Sequence, residues 1–337
     1  MLLAGCQGDL PDGTLDQPVQ QGSDRPAMPR SSGERLPAFS GGDPARRGWA
    51  QVDGLLWIQR EHVEAYQAGK VFNGFGFVPR SQPLPAGTPA LRGYRLRTNH
   101  VALHTNAAWS RAEGVAREAE AHVARLVGGY GDALDLRLPS GPLKVVVTAT
   151  RAEFERTLAG LVRDPVGWGA FYDARSGNVY VSLEPAARGA MPWQADLRHE
   201  MTHQILDLSR PLSRRGRAFG PPWFWLWEGI ALWSEDLGGG ITSPRDTRFR
   251  RRYARGEWTR LDELARLQPW NFEGRHYDQS ASLAGFLLDP SNPRVQAGTL
   301  SLIRDLLKGP VEAHALEGRT GYSPATLERA WLDTLAR

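Results

Sequence analysis

The sequence has few cysteines and no long hydrophobic run, and each shortage excludes a class of protein. Its 337 residues contain one cysteine, Cys6, which excludes an intrachain disulfide framework and a metal site built from several thiolates. No apolar run reaches the roughly 18–20 residues that a membrane-spanning helix needs. The most aromatic stretch, residues 223–233, is interrupted by Glu228. We therefore do not expect a transmembrane helix.

Lysine is also scarce, with 3 lysines against 38 arginines, and the formal net charge is only +4. A net charge this small over such a length is not typical of a nucleic-acid-binding protein, so no nucleic-acid partner is expected. The 41% hydrophobic and 23% charged residues are ordinary for a globular chain. The length suffices for one large or two small domains with a substantial core.

The N-terminal segment differs in composition from the rest of the chain. Residues 7–48 contain 7 glycines and 6 prolines, which together make up 31% of the segment. This composition, with Phe39 as its one aromatic residue, is typical of disordered chain that cannot bury enough surface to fold. We predict a flexible tether over 7–48, followed by a small N-terminal element over 49–94.

The tetrapeptide Leu3–Cys6 resembles the lipobox of bacterial lipoproteins, in which the cysteine is lipidated. The resemblance implies that 1–6 is the remnant of a signal peptide. It also implies an exported protein attached to the cell envelope through Cys6. A lipobox normally follows a charged start and an apolar stretch, whereas only two residues precede this one. A chance cysteine in a short apolar N-terminus is the alternative.

Periodicity places strands in the first half of the chain and helices in the second, which predicts an α+β fold. Strands are expected at 100–106 and 144–148, a hairpin at 168–183, and a weaker hairpin signal lies within 53–78. Helices are predicted over 110–130, 151–162, 192–208, 222–236, 259–267, 277–288, 296–308 and 323–336. The first of them should end at Gly128-Gly129.

The sharpest motif is His199-Glu-Met-Thr-His203, an HExxH sequence within the helix predicted over 192–208. Positions i and i+4 share one helix face, so both imidazoles can bind a single ion. Glu200 would then lie beside that ion, where it can accept a proton from water. About one chain in a hundred of this composition would contain the motif by chance. A surface helix with two solvated histidines is the alternative.

A catalytic zinc site needs a third protein ligand. The metzincin extension is excluded, because Leu206 and Ser209 stand where that class has glycine and histidine. Glu228 is the next candidate, since it lies in an otherwise apolar segment where an unpaired carboxylate would be costly to bury. Gly229 should let its helix approach the HExxH helix closely. A glutamate on the polar edge of an amphipathic helix is the alternative.

HExxH followed by Trp225-Leu-Trp-Glu-Gly-Ile-Ala231 resembles the gluzincin, or peptidase MA-like, zinc metallopeptidases. The likeness is closest to a bacterial exported domain of unknown function and covers roughly 95–337. It implies a zincin-like domain with a small mixed sheet in the N-terminal half packed on the HExxH helix. It also implies that Zn²⁺ is bound by His199, His203 and Glu228, with Glu200 as general base in the cleavage of peptide substrates.

The same resemblance implies two further features of the site. The strand before the active-site helix, Val179–Leu183 here, should form a sheet edge that pairs with extended substrate, with plain core structure as the alternative. Tyr277 should stabilise the oxyanion, with His276 as the second candidate and simple packing as the alternative role.

One position departs from the family. Leu232 stands where several gluzincins have an acidic residue that supports a ligand histidine, so Asp196, Asp207 or Glu235 must take that part. The sequence thus predicts a zinc peptidase. The alternative function is an exported lipoprotein of gluzincin fold that binds a partner or supports the envelope without catalysis. The sequence does not indicate an oligomeric state.

Overall fold

The computed structural model describes residues 48–73, 76–85, 87–162, 168–185, 192–216, 219–235 and 244–335. Over these residues the fold is mixed α+β, about 53% helical with small sheets, which confirms the predicted fold class. The predicted lipobox remnant at 1–6 and all of the predicted tether before Gly48 lie outside the described residues. Among the described helices, none combines the length and the apolar character that a bilayer span requires.

Nine strands and eleven α-helices are assigned within these ranges. The strands are β1 Trp49–Val52, β2 Leu56–Gln59, β3 Lys70–Phe72, β4 Phe77–Pro79, β5 Tyr94–Arg97, β6 Val101–Thr105, β7 Leu143–Thr148, β8 Ala170–Asp173 and β9 Asn178–Ser182. The helices are α1 Val63–Gln67, α2 Trp109–Leu134, α3 Arg151–Leu158, α4 Trp193–Leu208, α5 Phe224–Ser234, α6 Pro244–Tyr253, α7 Leu261–Leu264, α8 Gly274–Leu287, α9 Pro293–Lys308, α10 Ala315–Thr320 and α11 Pro324–Leu335.

The main sheet has five strands in the order β5-β6-β7-β9-β8. The central strand β7 runs parallel to both neighbours, and its valines are buried because helices cover both faces of the sheet. Helices α2 and α4 share one buried cluster with the sheet, and α3 packs on the other face. This packing fixes the HExxH helix α4 directly on the sheet.

The predicted hairpin at 168–183 is confirmed, but the prediction that Val179–Leu183 forms the edge of the sheet was wrong. Strand β9 lies inside the sheet between β7 and β8, so β8 and not Val179–Leu183 forms that edge within the described chain. Both arms of the hairpin are mainly apolar and almost entirely buried. Strand periodicity therefore could not tell which arm would pair with β7.

The N-terminal element consists of two small antiparallel hairpins, β1–β2 and β3–β4, where the sequence indicated one hairpin region. Strand β5 begins at Tyr94 and pairs with β6, so the main sheet starts at Tyr94; the division into an element over 49–94 and a domain over 95–337 stays a prediction. The β1–β2 hairpin contacts β5 through β2, at the opposite end of the sheet from β8, and the β3–β4 hairpin packs on α1 through β3.

The second half of the chain is helical and has its own apolar core, formed mainly by α5, α8, α9 and α11. Helices α6 and α10 were not anticipated. Helix α2 does not end at Gly128-Gly129; it continues to Leu134, which is buried in this helical core, and ends at Asp135 in a left-handed conformation (φ 54°). Tertiary burial of the last turn outweighs the low helix propensity of the two glycines.

Candidate metal centre

Helix α4 brings the two histidines of the HExxH motif together inside the protein. His199 and His203 are 2% and 3% exposed, and their Nε2 atoms are 3.1 Å apart. The ring centroids are separated by 4.7 Å with nearly perpendicular planes. The i, i+4 spacing has therefore placed both ring nitrogens at one point on the buried face of α4, and a solvated surface helix is excluded.

Glu228 on α5 completes the group. Its side chain is 1% exposed, with Oε2 3.6 Å from His199 Nε2 and Oε1 3.7 Å from His203 Nε2. Gly229 does not face α4 as predicted. A Cβ at this position would lie 2.7 Å from the carbonyl oxygen of Ser280, so the glycine permits close packing of α5 on α8.

The geometry and chemistry of these three residues suit a metal ion. Their ligand atoms all lie within 4.8 Å of one another. A tetrahedral ion with ligand bonds of about 2.0–2.2 Å holds its ligand atoms roughly 3.3–3.6 Å apart, close to the observed separations. Oε2 of Glu228 is buried and has no hydrogen-bond partner among the described residues, so a cation would satisfy it.

The charge state of Glu228 also suits a cation. Burial opposes ionisation of this carboxyl group, but the adjacent imidazoles of His203 and His199 outweigh burial and lower the pKa of Glu228 to about 2. The carboxylate is thus ionised at neutral pH, which is the form in which it can act as a ligand.

Glu200 directly follows His199 on α4 and is also buried, with 5% of its surface exposed. Its Oε2 accepts a hydrogen bond of 2.8 Å from the backbone N–H of Tyr172 in the edge strand β8. Burial raises the pKa of Glu200, partly offset by the two histidines. A carboxylate in this environment is a better proton acceptor than one in water.

Of the three carboxylates proposed to support a ligand histidine, Glu235 occupies that position. Its Oε1 lies 3.0 Å from Nδ1 of His199, on the side of the ring away from Glu228. Asp207 instead accepts hydrogen bonds from the Tyr172 hydroxyl and the Gly216 N–H. Asp196 fills the space beside Gly169, where burial raises the pKa of its carboxyl group to about 7.

Glu235 is itself held by an arginine. Arg245 of α6 donates from Nε to Oε2 at 3.0 Å and from a second nitrogen to Oε1 at 3.2 Å. Arg245 also approaches Asp278 of α8, and Arg248 binds the same aspartate through two nitrogens. A buried ion network therefore joins α4, the end of α5, α6 and α8. No sequence signal distinguishes Arg245 from its arginine-rich surroundings.

Aromatic residues form one wall of the site. The ring of Trp227 is stacked on that of His203, with centroids 5.0 Å apart and planes inclined by 19°. Phe219 contacts the same tryptophan edge-on at 4.4 Å. This packing restricts the orientation of His203, as the ion pair with Glu235 restricts His199.

A second polar cluster, absent from the predictions, lies behind α4. Buried His122 of α2 contacts the Thr202 hydroxyl through Nε2 at 2.9 Å, and Thr202 contacts Ser234 of α5 at 2.6 Å. Burial lowers the pKa of His122 to about 3, so the ring is neutral. The cluster connects the helices that carry the three candidate ligands.

The two candidates for oxyanion stabilisation lie at the start of α8. Tyr277 is 5% exposed, with its ring edge-on to Phe272 at 4.9 Å in the helical core. His276 accepts the Glu273 N–H through Nδ1 at 2.9 Å and so caps α8. Burial lowers the pKa of His276 to about 4. The catalytic role of Tyr277 stays a prediction.

No protein-family model matches this sequence, and no curated protein matches it either. The residues of the site and the resemblance of their motifs are therefore what indicates a function.

Proposed function

We propose that the chain is a zinc-dependent hydrolase of zincin-like, gluzincin type, and that its substrates are peptides. The observation that carries the proposal is the burial of His199, His203 and Glu228 with their ligand atoms within 4.8 Å of one another, next to the buried carboxylate of Glu200. The order of elements is compatible with it: the β8–β9 hairpin, whose first strand is the sheet edge, then the HExxH helix, then the helix with the third candidate ligand.

Two imidazole nitrogens and one carboxylate oxygen form a ligand set that suits Zn²⁺ and leaves a fourth position open. Zinc in such a site supplies Lewis acidity, which polarises a carbonyl group and makes water a better nucleophile at neutral pH. Glu235 holds His199 through Nδ1, so that Nε2 is the nitrogen directed at the cation.

Glu200 acts as the general base in this proposal. Oε2 of Glu200 accepts a hydrogen bond from the Tyr172 N–H, whereas Oε1 of Glu200 receives no hydrogen bond from the described residues. Oε1 is therefore the atom that takes the proton from the attacking water and returns it to the leaving amine. Tyr277 is proposed to stabilise the oxyanion that develops at the attacked carbonyl.

Strand β8 is the element that would bind extended substrate. Because hydrogen bonds alternate along an antiparallel pair, the backbone groups of Ala170 and Tyr172 point away from β9. The Tyr172 N–H binds Glu200, so an added strand would be aligned directly beside the general base.

We also propose export and envelope attachment through Cys6, for which acyl chains on the N-terminal peptide are the test.

The decisive experiment compares the wild-type chain with Glu200→Gln in zinc content and in cleavage of a peptide library. We expect equal zinc content and a loss of at least about 100-fold in turnover in the variant. Glu263→Gln, on an exposed face of α7, serves as the matched control and should cleave normally. Cleavage by Glu200→Gln at the wild-type rate would refute the mechanism. Zinc binding without any cleavage by the wild type would favour a non-catalytic binding protein.

A further inference from the structure

A cavity of about 550 Å³ lies far from the candidate metal centre. It is lined by the hairpins β1–β2 and β3–β4, the start of α2 and the edge strand β5. Strands β5 and β8 occupy opposite ends of the sheet, and four strand spacings of about 4.8 Å separate them by roughly 19 Å. A ligand in this cavity would therefore not occupy the metal centre.

Aromatic rings form much of the cavity wall, and the strand register explains why. Trp49 is paired with Gln59 and Gln51 with Trp57, so Trp49 and Trp57 share one face of the β1–β2 hairpin. Both indoles are only partly buried and both line the cavity. They provide flat apolar surfaces on which a planar group can stack.

The β3–β4 hairpin adds two phenylalanines. Phe72 and Phe77 are directly opposite each other in the register, with ring centroids 5.6 Å apart. Each remains 43% exposed, although large aromatic side chains are normally buried. Both contact the ring of His62, at 5.0 and 4.9 Å. An exposed aromatic cluster at the rim of a cavity marks a surface that gains free energy when a ligand covers it.

The charged side chains that line the cavity all have one sign, although Asp53 and Glu113 lie behind the wall and accept hydrogen bonds from the Tyr66 hydroxyl. The ionisable lining comprises Lys70, Arg92, Arg95 and Arg97 together with His62 and Tyr66, and it contains no aspartate or glutamate among the described residues. Lys70 and Arg92 form no ion pair within the described part of the chain. Cations in a concave, partly apolar site attract an anion more strongly than the same charges on an open surface.

We infer that this cavity is a binding site for a small organic anion with a planar apolar body, such as an aryl carboxylate, sulfonate or phosphate. The volume lies within the range of small-molecule pockets. The tryptophans and phenylalanines contact the planar body, and Lys70 and Arg92 bind the anionic group. A neutral aromatic compound would leave these cations without a counter-charge, so the site discriminates by charge.

The test uses 1-anilinonaphthalene-8-sulfonate as an anionic probe and N-phenyl-1-naphthylamine as its neutral counterpart. We expect saturable binding of one sulfonate probe per chain, with quenching of tryptophan emission because Trp49 and Trp57 line the site. The neutral probe should bind about 10-fold more weakly or worse. Equal affinity for the two probes would overturn the inference.

Charge-reversed variants locate the binding. Lys70→Glu and Arg92→Glu should each weaken binding of the sulfonate about 10-fold, because they replace attraction by repulsion. Arg137→Glu, at a site whose side chain is 79% exposed and that is not part of the cavity lining, should leave the affinity unchanged. An unchanged affinity in both cavity variants would place the probe elsewhere and contradict the proposal.

A variant of the rim tests the aromatic contribution. Phe72→Ser should weaken binding of both probes several-fold, whereas Leu212→Ser, at an even more exposed apolar position outside the cavity, should not. Because both side chains are exposed, neither substitution is expected to unfold the chain.

Binding of the sulfonate probe should persist after zinc is removed with a chelator. A failure of this proposal is thus distinguishable from a failure of the proposed hydrolase function.

Discussion

Nδ1 of His199 lies 3.0 Å from Oε1 of Glu235, a residue 36 positions further along the chain. Glu235 lies directly after α5 and supports His199, whereas the resemblance to gluzincins pointed to position 232, which is Leu232 here. Burial opposes its ionisation, but Arg245 and His199 outweigh burial and keep the pKa of Glu235 below its ordinary value. The carboxylate therefore fixes both the orientation and the tautomer of the His199 ring.

Glu235→Gln should weaken zinc binding by about 10–100-fold, because the amide supports the ring without the negative charge. Competition with a chromophoric chelator measures the affinity. Glu257→Gln removes a carboxylate whose side chain is 49% exposed and should not change the affinity. An unaltered zinc affinity in Glu235→Gln would show that this contact does not support the metal centre.

Gly229→Ala should destabilise the fold by about 1–3 kcal/mol, because the new Cβ would lie 2.7 Å from the Ser280 carbonyl oxygen and force α5 away from α8. Since Glu228 is the adjacent residue, zinc affinity should fall as well. Gly114→Ala is the matched control, because nothing lies within 4 Å of its added Cβ on the exposed face of α2. That variant should be as stable as the wild type or up to about 1 kcal/mol more stable. Urea unfolding measures the stability of both variants. Equal stability would contradict the claim that Gly229 is needed for close packing of α5 on α8.

Local patterns in the sequence predicted the parts of the site that depend on local geometry. The i, i+4 spacing of His199 and His203 predicted one helix face, and the cost of burying an unpaired Glu228 predicted a partner for it. The helices α4 and α5 that carry them begin and end within two residues of the predicted bounds.

The remaining features depend on contacts between distant segments. Gly229 packs on Ser280, and Arg245 reaches Glu235 from a helix so rich in arginine that no apolar stripe indicated it. The position of β9 inside the sheet depends on which hairpin arm meets β7. Neither periodicity nor residue type encodes such pairings.

Zinc should stabilise the wild-type chain against unfolding, because an ion bound only by the folded state adds its binding free energy. At a free concentration 100-fold above the dissociation constant the gain is about 2.7 kcal/mol. Glu228→Gln should lose most of this gain, since it removes the one anionic residue among the three candidate ligands. Mg²⁺ at the same concentration should have little effect, because it prefers six oxygen ligands. A gain that survives in Glu228→Gln would place the zinc outside the predicted site.

His122 should make the stability of the fold depend on pH through its contact with Thr202. Burial, reinforced by Arg125 and Arg198, lowers the pKa of His122 from 6.5 to about 3 in the folded chain. Between these two values the unfolded chain binds one more proton than the folded chain, so stability falls as the pH falls below 6.5.

Relative to His122→Gln, which keeps a hydrogen-bonding group near the Nε2 position but cannot titrate, the wild type should lose about 2 kcal/mol more stability between pH 7 and pH 5. Urea unfolding in the presence of EDTA measures the difference without a contribution from metal. His314→Gln, at an exposed position, should follow the wild type. Parallel losses in wild type and His122→Gln would mean that His122 is protonated in the folded chain or becomes accessible to water. The neutral ring would then not be the form that connects α2 to the helix of the two histidine ligands.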